Sequence, residues 1–578
     1  MTSPNINTLW GRIIAEELAA SGVDSAVLAP GSRSTPLTVA IAEHPDIEAL
    51  SLLDERSGSF FGLGRAKRTG RPTALVCTSG TALGNFHPAV VEAANARIPL
   101  VALTADRPPE LQDSGANQTI DQEDFYGDAV RDYRTLPEPE ATERKLRSLR
   151  VAVCRAVGTA RGTNPGPVHL NVPFRKPLEP TVETDEIPPA FLETDSPAVR
   201  GRDGPFVDVT DGRPRLSAAD RERVADVLAA AESGLIVCGP ADPPRQPRES
   251  IVDLARATGF PILADPLSGL RFGPHPDEVV VCGGYDSYLE AITEPPEVVV
   301  RFGASPTSKV LRNYLADPET RGFVVDPAGG WREASFTATD LLVTDESRFA
   351  AELADAIDSP SERPSYTERI GAAETDYWDI VSGAEPAEGA ALASIVENAP
   401  DPATLFVSNS MPVRDLDRFG RPRDARLTVL GNRGASGIDG ITSSGLGAGS
   451  GTSDPLVVVL GDLAYYHDSN GLLAVSRCDV DATIVVINND GGGIFRLLPI
   501  EDHDTFDEWF RTPHGLDFEP TAELYGLEFA RTDRLDRFEE LYVESLESDG
   551  TQVLELRVDG EKSHADRERL HQTVVESL

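Results

Sequence analysis

Two apolar runs, Pro455-Leu-Val-Val-Val-Leu-Gly-Asp462 and Ala482-Thr-Ile-Val-Val-Ile-Asn-Asn489-Asp-Gly-Gly, decide the fold. Both are short and rich in β-branched residues, as buried parallel strands are. The segment between them, Tyr465 to Arg477, has the length and spacing of a helix, so the unit reads strand–helix–strand. Ligands in such sheets gather at the carboxyl ends of the strands, where Asp462 and Asn489 fall, 27 positions apart. A carboxylate, an amide oxygen and a carbonyl from the following glycine turn make an oxygen-only set. That set suits Mg²⁺, which takes its remaining ligands from water and phosphates. The same residues also read as two strand ends whose Asp and Asn cap the next turn.

Outward from this unit the chain keeps an α/β rhythm. In the first segment a helix pattern over 9–21 alternates with strand patterns over 25–29, 74–78 and 100–104. A linker rich in Pro, Glu and Asp follows Pro177. The middle segment carries strand patterns over 234–239, 278–282, 298–303 and 322–326, and its turn Cys238-Gly-Pro-Ala-Asp lacks dinucleotide-fingerprint spacing. The expected architecture is α/β, three doubly wound parallel-sheet domains in series, over 1–185, 205–360 and 385–578. Gly445-Leu-Gly-Ala-Gly precedes a strand rather than following one, so close helix packing explains it better than a nucleotide loop.

The 578 residues carry 94 acidic and 53 basic side chains, a net charge of −41, and only five of the basic residues are Lys. Such self-repulsion is relieved when salt shortens the Debye length, which points to a salt-rich cytoplasm. It also argues against nucleic acid and anionic membranes as partners. No run of eighteen apolar residues occurs, and the opening residues lack a basic stretch leading into an apolar one. The expectation is a cytoplasmic protein without membrane insertion. Cys77, Cys154, Cys238, Cys282 and Cys478 form no metal or redox spacing and read as free thiols.

Leu50-Ser-Leu-Leu-Asp54-Glu55-Arg56 places a carboxylate at a strand end in the first segment. Burial there would raise its pKa and suit it to proton transfer. The alternative is a helix start carrying a surface ion pair.

The Gly-Asp…Asn-Asn spacing resembles the metal–diphosphate motif of thiamine diphosphate enzymes, although Leu463 stands where many members have Gly. The resemblance narrows with Pro30-Gly-Ser-Arg33, Asp54-Glu-Arg, Thr104-Ala-Asp-Arg-Pro-Pro-Glu-Leu, Gly115-Ala-Asn-Gln118, Gly431-Asn-Arg-Gly-Ala-Ser-Gly-Ile-Asp-Gly440 and Asn488-Asn-Asp-Gly-Gly-Gly-Ile-Phe495. These are similar to the 2-succinyl-5-enolpyruvyl-6-hydroxy-3-cyclohexene-1-carboxylate synthases of menaquinone biosynthesis, across nearly the whole chain. The resemblance implies a transferase that decarboxylates 2-oxoglutarate and adds the remaining unit to isochorismate. It implies thiamine diphosphate with Mg²⁺, Mn²⁺ being possible, and a homodimer or homotetramer whose cofactor bridges two subunits.

By the same resemblance Glu55 is the catalytic carboxylate on the cofactor's aminopyrimidine. Asp462, Asn489 and the Gly491 carbonyl hold the metal; Ser410, Gly461, Ile438 and Ile494 line the cofactor. Ser32, Arg33, Arg107, Gln118, Lys309, Arg414, Arg433 and Phe495 face the substrates, both dicarboxylates, which Arg can grip with paired hydrogen bonds. Relatives often follow the Lys with a second cation, whereas Val310 stands here. Simple decarboxylases often use adjacent histidines; none of the nine here are neighbours. Another thiamine diphosphate 2-oxo acid carboligase, or a silent binding protein of the same fold, are the alternatives.

Overall fold

A computed structural model describes residues 5–182, 187, 189–242, 247–360 and 362–578. Its strands form three six-stranded sheets, and every strand pair in them is parallel. The first sheet runs, in spatial order, Glu48–Ser51, Ser25–Leu28, Thr73–Cys77, Leu100–Asp106, Val168–Pro173, Tyr133–Thr135. The third runs Leu427–Leu430, Ala403–Val407, Leu456–Gly461, Thr483–Asn488, Gln552–Arg557, Glu528–Thr532. The two have the same winding: second strand, first, third, fourth, sixth, fifth. The middle sheet runs Asp340–Leu342, Arg321–Val325, Val298–Phe302, Gly234–Cys238, Ile262–Ala264, Val281–Cys282. Central strands such as Thr73–Cys77, Val298–Phe302 and Thr483–Asn488 are buried at every residue, because helices cover both faces of a parallel sheet.

The chain divides into two compact units. One comprises Met1–Gly212, Asn432–Ser453 and Asp468–Val480, and so holds the first sheet. The other comprises Arg213–Gly431, Asp454–His467 and Asp481–Leu578, with the other two sheets. Within the first unit the helix Ile441–Ser450 lies against the helix Glu55–Thr69. A Cβ on Gly64 would stand 1.9 Å from Ser444 O, and one on Gly447 1.9 Å from Phe61 O. The glycine-rich stretch is thus a helix-packing face.

Two local expectations change. The single helix expected over 465–477 is broken into Asp462–His467, a 3₁₀ turn Ser469–Leu472 and Leu473–Cys478. The break falls at Asp468, a buried residue whose carboxylate accepts the Ser443 N–H at 2.7 Å. The strand expected over 278–282 shrinks to Val281–Cys282, because the Val279 N–H closes a turn onto Pro276 O. All five cysteines are free, and all but Cys478 are buried. Among the described residues no helix is long and apolar enough to cross a membrane.

Candidate active site

In the second unit, the strands Leu456–Gly461 and Thr483–Asn488 are neighbours, with Gly461 level with Ile487. Asp462 and Asn489 therefore leave the sheet side by side. Asp462 is 2% exposed; its Oδ2 accepts the Gly491 N–H at 2.9 Å and its Oδ1 that of Leu463 at 2.7 Å. Burial pushes its pKa above the ordinary value, against the pull of the Gly491, His514 and Leu463 hydrogen bonds. Gly491 has φ +139°, and a Cβ there would stand 2.0 Å from Arg511 O, so only glycine fits this turn. Asn489 donates its Nδ2 to Glu388 Oε1 at 2.7 Å. That bond fixes the amide with its nitrogen toward the carboxylate, so that Oδ1 is the end left to accept. Carboxylate, amide oxygen and turn carbonyl fit a hard divalent cation.

Ser410 precedes the helix Met411–Phe419 in the same unit, with φ +72°, a left-handed conformation unusual for a residue with a side chain. Arg414 Nη1 donates to Ser410 O at 2.6 Å, so the two travel together. Lys309 opens the helix Lys309–Tyr314 and is exposed. Ser308 caps that helix through the Leu311 N–H at 2.9 Å and donates to Asp286 at 2.5 Å. Val310 packs on the apolar core of the middle region, while Arg312 Nη1 reaches Pro306 O at 2.7 Å. Ile494 and Phe495 lie half-buried in the turn Gly493–Leu497, with the Phe495 ring edge-on to Phe510 at 5.7 Å.

In the first unit the carboxyl ends of three strands converge. Arg33 is 4% exposed; its backbone N–H donates to Thr78 Oγ1 at 3.3 Å and its Nη1 to Phe174 O at 2.6 Å. Arg107 Nη2 donates to Asn117 O at 2.9 Å. Gln118, with φ +55°, exchanges hydrogen bonds of 3.1 Å with Ser79, Nε2 to Ser79 O and Ser79 Oγ to its own carbonyl. Ser32 is exposed beside them. Burial and then the like charge of Arg107 lower the Arg33 pKa. Among the described residues neither arginine forms an ion pair with a carboxylate, and two neighbouring cations in that state call for an anion.

Glu55 is the first residue of its helix, after Asp54, whose Oδ1 accepts the Arg56 and Ser57 N–H groups at 2.9 and 3.3 Å. The expected burial is not met within one chain: Glu55 is half-buried. It stands on the first turn, outside the packed stretch Ser57–Ala66. Arg56 makes a long contact with Asp468, 3.9 Å. Arg433 and Ile438 lie in the same unit, both half-buried in the glycine-rich loop before Ile441.

Family models described as the N-terminal and C-terminal thiamine pyrophosphate enzyme, TPP binding domains match residues 10–125 and 426–556. A 2-succinyl-5-enolpyruvyl-6-hydroxy-3-cyclohexene-1-carboxylate synthase of Natronomonas pharaonis is 65% identical, covering all of both chains. Its counterpart in Haloarcula marismortui is 59% identical over the same extent. The chain belongs to this synthase family. A bacterial member of the synthase family, from Roseiflexus, is 45% identical over 98% of each chain. The halophilic archaeal members fit the salt-adapted reading of the charge. A thiamine diphosphate-dependent 4-hydroxybenzoylformate decarboxylase of Rhodococcus jostii shares the fold, with a TM-score of 0.71 at 17% identity, covering 95% of this chain and 99% of its own.

Two residues escaped the sequence reading of this synthase family member. Glu388, 5% exposed on the helix Ala387–Asn398, orients Asn489 and accepts from Ser563 Oγ at 3.2 Å. His514 donates its backbone N–H to Asp490 Oδ1 at 3.0 Å, and its Nε2 lies 3.2 Å from Asp462 Oδ2. Neither stands in a motif: Glu388 is 101 positions from its partner and His514 is a lone histidine outside any helix or strand.

Proposed function

We propose that the chain decarboxylates 2-oxoglutarate and joins the remaining acyl unit to isochorismate. The C1 carboxyl leaves as CO₂, the acyl carbon bonds to one carbon of the conjugated ring alkene, and the other alkene carbon takes a proton. The observation that carries this reading is the Arg33–Arg107 pair, two neighbouring guanidinium groups at the strand ends that, among the described residues, form no ion pair, Asp106 acting on Arg33 only through its longer-range field. Such a pair suits a dicarboxylate better than the single charge of a simple 2-oxo acid. Full-length identity with relatives named for this synthase supports it.

Thiamine diphosphate supplies, when bound, a nucleophilic carbon that stabilises the acyl carbanion. Asp462, Asn489 and the Gly491 carbonyl would hold Mg²⁺ or Mn²⁺ against its diphosphate, beside Gly461 and Ser410. Glu55 would hydrogen-bond the aminopyrimidine nitrogen and move a proton there. Ile438 and Ile494 would shape the cofactor's seat, and Phe495 would wall the ring side. Ser32, Gln118, Lys309, Arg414 and Arg433 would orient the substrate carboxylates and exclude wrong poses. In this reading residues 1–185 hold the pyrimidine end, 385–578 the diphosphate end, and 205–360 carry Lys309. A cytoplasmic homodimer or homotetramer belongs to the same reading.

The test is isochorismate consumption by purified protein in concentrated KCl with thiamine diphosphate, Mg²⁺ and 2-oxoglutarate. Loss of isochorismate that needs every component, with the adduct mass, is the expected result. CO₂ release without isochorismate loss assigns the acceptor to a different carboligase. Cofactor binding without any turnover supports a silent protein.

A further inference from the structure

The loop that carries Arg433 is rich in glycine, and three of its backbone donors are taken up by a side chain distant in sequence. Glu92, on the helix Ala82–Asn95, is completely buried. Its Oε1 accepts the Gly434 N–H at 3.0 Å, and its Oε2 accepts those of Ala435 at 2.5 Å and Ser436 at 2.9 Å. Three consecutive backbone donors thus close on one carboxylate. Lys67, from the helix Glu55–Thr69, brings its Nζ to 3.7 Å from Glu92 Oε1 and to 3.2 Å from Asn432 Oδ1. Asn432 in turn donates to Ser444 Oγ at 2.9 Å. The loop is therefore tied down on both sides of residue 433, through Asn432 before it and through 434–436 after it. A Cβ on Gly434 would stand 2.8 Å from Glu92 O, so the loop backbone lies directly on the helix.

A carboxylate removed from water is costly unless charge and hydrogen bonds compensate it. Here burial opposes ionisation, but Lys67 and the three N–H groups outweigh it and hold the Glu92 pKa below its ordinary value. The clamp is therefore charged throughout the neutral range. Its members all lie in the first unit.

We propose that Glu92, with Lys67 as its counter-ion, is a positioning residue for Arg433: the clamp sets where that guanidinium meets a substrate carboxylate. This rests on the reading of Arg433 as a substrate ligand. Glu92→Gln keeps the shape but turns an amide nitrogen toward at least one backbone donor.

The expected result is a rise in KM of about tenfold for one dicarboxylate substrate, the size of one lost charged hydrogen bond. kcat and thiamine diphosphate affinity should change far less. Arg433→Ala should raise the KM of the same substrate, and the double variant should be no worse than Arg433→Ala alone, because the clamp acts only through Arg433. Unchanged KM, or additive effects in the double variant, overturns the proposal. If Glu92→Gln does not fold, Asn432→Ser decides, since it removes the hydrogen bonds of residue 432 to Lys67 and Ser444 and leaves Glu92 itself in place. A smaller rise in the same KM, non-additive with Arg433→Ala, supports the clamp, and an unchanged or additive KM overturns it. Amide exchange separates the two readings. Slow exchange at 434–436 in the parent, lost in the variant, upholds the clamp even if the parent fails to consume isochorismate, whereas fast exchange in the parent refutes it.

Discussion

Replacing Glu388 should weaken metal binding although Glu388 itself is no ligand. Its Oε1 accepts from Asn489 Nδ2 at 2.7 Å, and the pair is shielded, with Glu388 only 5% exposed. A hydrogen bond to a charged group in such a place contributes about 1.5–3 kcal/mol. That bond is also what distinguishes the two ends of the amide: without it, the Asn489 side chain can rotate by half a turn and offer hydrogens to the cation. The full loss corresponds to roughly ten- to a hundredfold in Mg²⁺ affinity, the range typical when the partner of a metal ligand is removed. Ser563 Oγ, 3.2 Å from Glu388 Oε2, would lose an acceptor as well but does not touch Asn489. Glu388→Ala should therefore show the full effect. Glu388→Gln, which keeps one acceptor oxygen, should fall between it and the parent. The assay is Mg²⁺ titration by calorimetry at saturating thiamine diphosphate, with Mg²⁺-dependent melting as an independent readout. Equal Mg²⁺ affinity in a folded Glu388→Ala protein would refute the orienting role.

Glu55→Gln should retain thiamine diphosphate binding and lose most turnover, whereas Asp462→Ala should weaken cofactor binding itself; cofactor titration beside steady-state rates separates the two, and full activity of Glu55→Gln would remove that residue from the mechanism. Burial raises the Asp468 carboxyl to about 6, only partly opposed by the Ser443 hydrogen bonds and Arg56. Because the folded pKa lies above the unfolded one, its stabilising contribution is complete below about pH 4, fades as the pH rises and is lost above about pH 6. Asp468→Asn should therefore raise the melting temperature at pH 7, by up to about 3 kcal/mol of stability, with the gain vanishing near pH 4; a gain independent of pH would contradict this. Finally, with a net charge of −41, activity and melting temperature should fall steeply as KCl is removed, and unchanged melting in dilute buffer would refute the salt-adapted reading.

Much of the fold was legible because buried parallel strands leave a coarse signal. The run Leu456–Gly461 and the run Thr483–Asn488 needed only their β-branched content and their polar ends to be placed. Arg33 and Arg107 were legible as candidates through the motifs Pro30-Gly-Ser-Arg33 and Thr104-Ala-Asp-Arg107; Arg107 follows its strand directly, whereas Arg33 lies in the turn after one. Less legible were elements whose form depends on a distant partner. The helix after Asp462 breaks at Asp468 because Ser443, far back in the chain, supplies the N–H that the carboxylate takes. The short strand Val281–Cys282 likewise reflects a local turn that outcompetes the ladder.

The sequence by itself determined the α/β class, the excess of negative charge, and the residue types gathered at the strand ends. These follow from short-range rules, the alternation of strand and helix patterns and the fixed exit of side chains at a strand's carboxyl end. Tertiary structure alone decided the identical winding of the first and third sheets, the amide orientation that Glu388 imposes on Asn489, and the closure of Glu92 on three backbone donors. The physical reason is that a buried carboxylate must find its donors wherever the fold brings them, and no spacing along the chain records that meeting.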